Sequence, residues 1–174
     1  MLRMLFSICL VFLTIPALAD ESTLNVKVPE KLKEANLMQT GMTHLKNNRL
    51  TESRQAFSQA IAIDPDNSEA YITKGIVNTL LKDYQGAIND ESKAIEIILS
   101  GFGDPKLAMA FNTRGHAYLA SQELDLALSD FKLSQKLNPK FADNYTQLIK
   151  IYKAKGDLQT AQATQAELDK VSKK

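Results

Sequence analysis

The chain has 174 residues, 44% of them hydrophobic, enough for one domain with its own core. Its 21 Lys+Arg stand against 20 Asp+Glu, a net charge of +1, which leaves no electrostatic footprint for nucleic acid. A single cysteine excludes a disulfide framework, so the fold must be held by packing.

The first nineteen residues read as a secretory signal peptide. "MLR" is a positive start, "MLFSICLVFLTI" an apolar run short for a bilayer span, and "PALA" a small-residue ending before Asp20. Cleavage is expected after Ala19; the alternative is a retained amphipathic or membrane anchor. Cys9 lies inside the apolar run and not at the cut, which excludes lipoprotein processing. Removing 1–19 also removes Arg3, leaving 20 basic against 20 acidic residues, no thiol and no second apolar span. An exported chain without disulfides suits the bacterial periplasm best, with secretion as the alternative. Residues 20–33 form a lead segment. "NYT" at Asn144 matches a glycosylation sequon, but it falls within an expected helix, and so short a motif arises by chance.

From residue 34 onward the sequence repeats itself. "YITKGIVNTLLKDYQGAINDESKAIEI" aligned on "AFNTRGHAYLASQELDLALSDFKLSQKL" puts Gly75 over Gly115 and Ala87 over Ala127, and "NLMQTGMTHLKNNRLTESRQAFSQAIAIDP" adds Gly41 to the frame. The step from Gly75 to Gly115 equals that from Gly41 to Gly75 plus one short insertion, "SGFGDP" at 100–105, read as a loop. A fourth unit, "YTQLIKIYKAKGDLQTAQATQAEL", carries Ile149 where the glycine should be. The units are 34–67, 68–107 with the insertion, 108–141 and 142–172.

Within a unit the apolar residues recur at three and four, as in Ala56, Phe57, Ala60, Ile61 and Ile63, which predicts amphipathic helices. "KNNRL", "LKDYQ", "SQELD" and "AKGDL" cut each unit into two antiparallel helices, and Asp64-Pro65 and Asn138-Pro139 end the second helix of theirs.

This pattern resembles the tetratricopeptide repeat family over nearly the whole chain after residue 33. The family motif has a small residue at its eighth position, alanines at the twentieth and twenty-seventh, an aromatic at the twenty-fourth and proline at the thirty-second. Unit one matches with Gly41, Phe57, Ala60 and Pro65, and unit three with Gly115, Tyr118, Ala127, Phe131 and Pro139. Unit two keeps Gly75, Ala87 and Ala94 but has Glu91 for the aromatic and Leu99 for the proline; unit four retains Tyr145, Tyr152, Gly156 and Ala161. The resemblance implies an all-α, right-handed α-solenoid of antiparallel helix pairs, with the first helix of each pair lining a concave channel.

Glycine inside a helix costs about 1 kcal/mol relative to alanine, so Gly115 must meet a close neighbour. It is expected opposite small residues such as Ala127 on the second helix of its own unit. Glu91 in an aromatic slot has two readings: a partly buried ion pair with Arg114, or a side chain tilted out to water by the insertion.

Catalysis finds no footing. His44 and His116 stand on different units without cysteine nearby, and no nucleophile elbow, phosphate loop, Rossmann fingerprint or metalloprotease helix is present. No cofactor or metal is implied, and the chain reads as no enzyme. His44 falls where the family prefers tyrosine and packs between helices; His116 falls on the channel face. Lys150, Lys153 and Lys155 read as a solvated helix face.

Family members that grip a chaperone's C-terminal carboxylate use lysine, arginine and asparagine on the channel helices; the matching positions here are Met38, Met42, Thr73, Met109 and Thr113, so that clamp is missing. The expected lining is an apolar strip of Met38, Met42, Ile72, Ile76 and Met109 continuing into polar Asn112, His116, Thr146 and Lys150. Methionine is adaptable enough to accept an apolar peptide or helix. The strip is either open to such a partner or covered by residues 20–33 or a neighbouring copy. The function expected is an exported protein-binding scaffold of the cell envelope. A self-assembling structural module forming homo-oligomers, or a non-catalytic subunit of an envelope enzyme, are the alternatives.

Overall fold

The computed structural model describes residues 29–100 and 106–173. These form eight helices: α1 (Glu30–Lys46), α2 (Leu50–Ile63), α3 (Ser68–Leu80), α4 (Tyr84–Ser100), α5 (Lys106–Ala120), α6 (Leu124–Leu137), α7 (Ala142–Ala154) and α8 (Leu158–Ser172). No strand occurs among the described residues. The signal reading of 1–19, residues 20–28 of the lead segment and 101–105 of the insertion lie outside them. Residues 30–33 of the expected lead segment belong to α1, which starts after Pro29, whose carbonyl accepts the N–H groups of Leu32 and Lys33 at 2.9 and 3.1 Å.

The repeat frame reappears in the backbone. Asn48, Lys82, Gln122 and Gly156 all adopt positive φ (56, 64, 67 and 78°). Asn48, Lys82 and Gln122 follow Gly41, Gly75 and Gly115 at one constant offset, and Gly156 follows Ile149 at the same one. Each sits just past the first helix of its pair, where a left-handed residue folds two N–H groups back onto the last carbonyls. The Asn48 and Arg49 N–H groups reach Leu45 and His44 carbonyls at 2.9 and 2.8 Å, and Gln122 and Glu123 reach Leu119 and Tyr118 at 3.2 and 2.8 Å. These closures turn the chain back sharply enough for the second helix to lie along the first.

Each helix packs on the next in chain order, and the first helices α3 and α5 also touch, which places the first helices on the inner wall. The core is a series of layers. One holds Ile72, Ala94, Ile95, Ile98 and Ala110 between α3, α4 and α5; another holds Ala127, Phe131, Leu148 and Ile151 between α6 and α7. Two positions where alanine is usual carry serine, and each hydroxyl is satisfied across a helix contact: Ser53 Oγ donates to the Gly41 carbonyl at 2.8 Å and Ser134 Oγ to the Ala108 carbonyl at 2.6 Å.

Three expectations need correction. The residue facing Gly115 is the ring of Phe131, which a Cβ there would meet at 3.1 Å; at Gly41 the ring of Phe57 would be met at 2.6 Å. The missing side chain makes room for an aromatic, while Ala127 belongs to the layer with Leu148 and Ile151. Ser100, read as the start of the insertion loop, is instead the last residue of α4, which runs for 17 residues against 14 for α2 and α6. Leu99 replaces the proline that follows α2 and α6, so the helix continues and buries Ile98. Glu91, finally, neither reaches water nor pairs with Arg114: it is 0% exposed, and Arg114 binds Asp130 instead.

Candidate functional site

The inner wall divides into an apolar part on α1 and α5 and a polar part where α5 meets α7. Met42 and Met109 stand out of the surface, 47% and 41% exposed. Met42 lines a depression on α1 with Gln39, Leu45 and Lys46. Met109 lines a second one of about 520 Å³ with Thr113, Lys140 and Phe141, where α5 meets the turn leading into α7. Met38 is half-buried.

The expected strip is not continuous. Ile72, placed on it by register, is 1% exposed and lies in the layer between α3, α4 and α5, and Ile76 packs against the same layer. The contact of α3 with α5 closes over these side chains, so Ile72 is withdrawn as a lining residue. Thr73 is buried as well, its hydroxyl donating to the Glu69 carbonyl at 2.8 Å.

In the polar part the fold gathers Asn112 and His116 around Asp143, which sequence reasoning passed over, while Lys150 reaches only Gln147. Asp143 Oδ2 accepts from Asn112 Nδ2 at 2.9 Å and lies 2.8 Å from His116 Nε2, while Oδ1 accepts from Gln147 Nε2 at 2.9 Å. Burial pushes the Asp143 carboxyl up, but the donors Asn112, Gln147 and His116 outweigh it and hold the group below its ordinary value. An ionised carboxylate only accepts, so Nε2 of His116 carries the proton of that bond. The His116 ring also stands edge-on to Phe131, centroids 5.2 Å apart at 86°. Asn112 donates a second bond, at 2.9 Å, to Oδ1 of Asn144, and Lys150 Nζ reaches Gln147 Oε1 at 3.4 Å. Thr146 turns its hydroxyl back to the Ala142 carbonyl at 3.3 Å. The network joins units three and four and holds Asn112 at 5% exposure, as a strut more than a free donor. Asp143 was findable: it holds in unit four the place that Met109 holds in unit three.

Other sequence candidates fall away from the wall. Asn144 is 0% exposed within α7, which withdraws its side chain from any modifying enzyme. His44 is half-buried on α1 with Nδ1 buried and unpartnered. Among the described residues no group of three or more His, Cys, Asp or Glu is placed to hold a metal ion, and no helix is long and apolar enough to cross a membrane.

Comparison with known proteins agrees with this architecture. Residues 36–67 match the family described as tetratricopeptide repeat. The chain is 27% identical over 135 residues to tetratricopeptide repeat protein 36 of Danio rerio, covering 78% of this chain and 70% of that protein. It is 24% identical over 134 residues to protein bimA of Emericella nidulans, covering 77% of this chain but 16% of that one. Among solved structures, a crystal structure of MamA superposes with a TM-score of 0.73 at 20% identity, over 80% of this chain and 78% of the other. The first repeat domain of Spaghetti (RPAP3), bound to the HSP90 peptide SRMEEVD, superposes with a TM-score of 0.66 at 22% identity, over 72% and 94%. These likenesses are likenesses of fold.

Proposed function

We propose that this solenoid of helix pairs, whose residues 36–67 match the tetratricopeptide repeat family, is a non-enzymatic protein-binding scaffold of the bacterial cell envelope, taking an apolar peptide or helix on its inner wall. The observation that carries this reading is the exposure of Met42 and Met109, 47% and 41%, on two first helices. Burying a methionine side chain contributes about 1.5–3 kcal/mol, and its flexibility suits a surface that must fit a partner's shape. The RPAP3 domain above holds a peptide ending in EEVD. Here the positions that the resemblance reserves for lysine, arginine and asparagine carry Met38, Met42, Thr73, Met109 and Thr113, which argues for an apolar partner over an acidic tail. Placement in the envelope rests on the signal-like residues 1–19.

Two experiments test this reading. Met42→Ser with Met109→Ser should abolish capture of a co-purifying envelope protein while circular dichroism stays helical, and capture by the unchanged chain should resist added salt. Ile76 is left intact because it supports the core. Partner release by salt, with capture surviving the double substitution, would move the site to a charged surface such as that of Lys150. N-terminal sequencing of the protein from a periplasmic fraction should begin at Asp20; recovery only in membranes, starting at Met1, would overturn the placement.

A further inference from the structure

Glu91 occupies the slot that Phe57 and Phe131 fill in units one and three, sixteen residues after Gly75 as they are after Gly41 and Gly115. The carboxyl presses against α3 so closely that a Cβ on Gly75 would stand 2.5 Å from Oε1. The side chain is 0% exposed, and both carboxyl oxygens are buried without a hydrogen-bond partner.

The neighbouring charges are committed elsewhere. From α3, Lys74 binds Asp90 Oδ1 at 2.8 Å, and Asp90 lies beside Glu91 on α4. From α5, Arg114 binds both oxygens of Asp130 on α6 at 2.7 and 2.9 Å and gives Nη1 to Ser92 Oγ at 3.1 Å. The Thr113 hydroxyl turns to the carbonyls of Met109 and Ala110 at 2.9 and 3.1 Å. An ionised Glu91 would thus be a buried charge without a donor, flanked by two aspartates, and proteins relieve that by neutralising the group.

We propose that Glu91 is protonated in the folded solenoid and acts as a proton-held joint: losing the proton drives the side chain from its slot and loosens the packing of α4 on α3. Burial first, reinforced by Asp90 and Asp130 and opposed by Thr113 and Arg114, raises the carboxyl well above its ordinary value of 4.5. The sign follows from linkage. The folded chain keeps a proton that the unfolded chain releases, so the contribution of Glu91 is complete below 4.5 and drains as pH rises toward the folded value. The loss reaches about tenfold in the folding equilibrium constant per pH unit. Asp90, raised by burial and lowered in part by Lys74 and Asn78, adds to the same trend, so a variant confined to Glu91 is needed to separate them.

Urea unfolding of the full chain and of Glu91→Gln, from about pH 5 to about pH 8, makes that separation. The folding constant of the unchanged chain should fall relative to Glu91→Gln as pH rises; parallel curves would overturn the proposal. Should Glu91→Gln fail to fold, carbon-13 NMR of glutamate carboxyls in the unchanged chain replaces it: one resonance should stay protonated after the others have titrated. Its absence would overturn the proposal equally. Amide exchange in α4, measured against α7 as an internal reference for base catalysis, should accelerate more with pH; equal acceleration in both would overturn the joint.

Discussion

Arg114 and Asp130, sixteen residues apart on α5 and α6, are joined by two parallel hydrogen bonds, Nε to Oδ2 at 2.7 Å and Nη2 to Oδ1 at 2.9 Å. Lys74 and Asp90 make the corresponding contact one unit earlier, at 2.8 Å. The pairing therefore recurs at one place in the repeat, tying first helix to second in units two and three. It also explains why Glu91, next to Asp90 in sequence, finds no cation of its own. Asp130→Ala should cost about 3 kcal/mol, because it strands a partly buried guanidinium. Arg114→Lys should cost about 1 kcal/mol, since lysine keeps the charge but loses the fork. Urea unfolding of both variants checks the order; an Arg114→Lys variant as stable as the unchanged chain would mean that the two-bond geometry contributes nothing.

The glycines of units one and three should be graded by the distance to their aromatics. A Cβ on Gly115 would meet the Phe131 ring at 3.1 Å, so a few tenths of an ångström of movement accommodates alanine and helix propensity offsets the strain. On Gly41 it would meet Phe57 at 2.6 Å, a clash that a shift of a few tenths of an ångström does not relieve. Gly115→Ala should be close to neutral, and Gly41→Ala should destabilise by about 1–3 kcal/mol through overpacking. Gly115→Leu should destabilise as well. Melting temperatures of the three variants give the ranking directly.

The left-handed turn residues offer the opposite sign. Lys82 and Gln122 carry φ of 64 and 67° with side chains that resist that region, whereas unit four uses Gly156 in the same place. A left-handed residue other than glycine costs about 1–2 kcal/mol, against about 0.5–1 kcal/mol for the extra freedom of glycine in the unfolded chain. Lys82→Gly and Gln122→Gly should each stabilise by about 0.5 kcal/mol, additively because the two turns belong to different units and share no partner. A denaturation midpoint shifted downward in either variant would count against this account of the turns.

Asp143 should give the chain an acid limb opposite in sign to that of Glu91. Its carboxyl is pushed up by burial but held below its ordinary value of 3.8 by Asn112, Gln147 and His116. The contribution is present above 3.8 and is lost as pH falls through the lower folded value. Asp143→Asn should therefore be less stable than the unchanged chain at neutral pH, with the gap narrowing in acid. A gap that persists unchanged into strong acid would show that the substitution acts through shape and not charge.

Much of this architecture is legible in the residues themselves. The frame of Gly41, Gly75 and Gly115, with turn signals between, locates the helix pairs, and the left-handed turns of the fold fall on the same frame. That works because a repeat is read from local order: helix periodicity and turn chemistry act over a few residues. The start of α1 at Glu30 was less visible, since the frame says nothing of a helix that overruns it. The extension of α4 through Ser100 was visible only as a missing proline at Leu99.

Sequence alone determined the class of fold, the register and the lack of cations at the positions of the known peptide clamp. Tertiary structure alone decided which residues of the inner wall are free: it withdrew Ile72 into a layer, drew Asn112 and His116 onto Asp143, and left Met42 and Met109 standing out. It also decided that Glu91 is buried without a partner, when both readings of the sequence had given it one, a cation or water. The physical reason is the same throughout. Register sets which face of a helix a side chain leaves from, but burial and hydrogen bonding depend on what other helices place opposite it. Those partners are distant along the chain, as Asp130 is from Arg114 within one unit and Asp143 is from Asn112 across two.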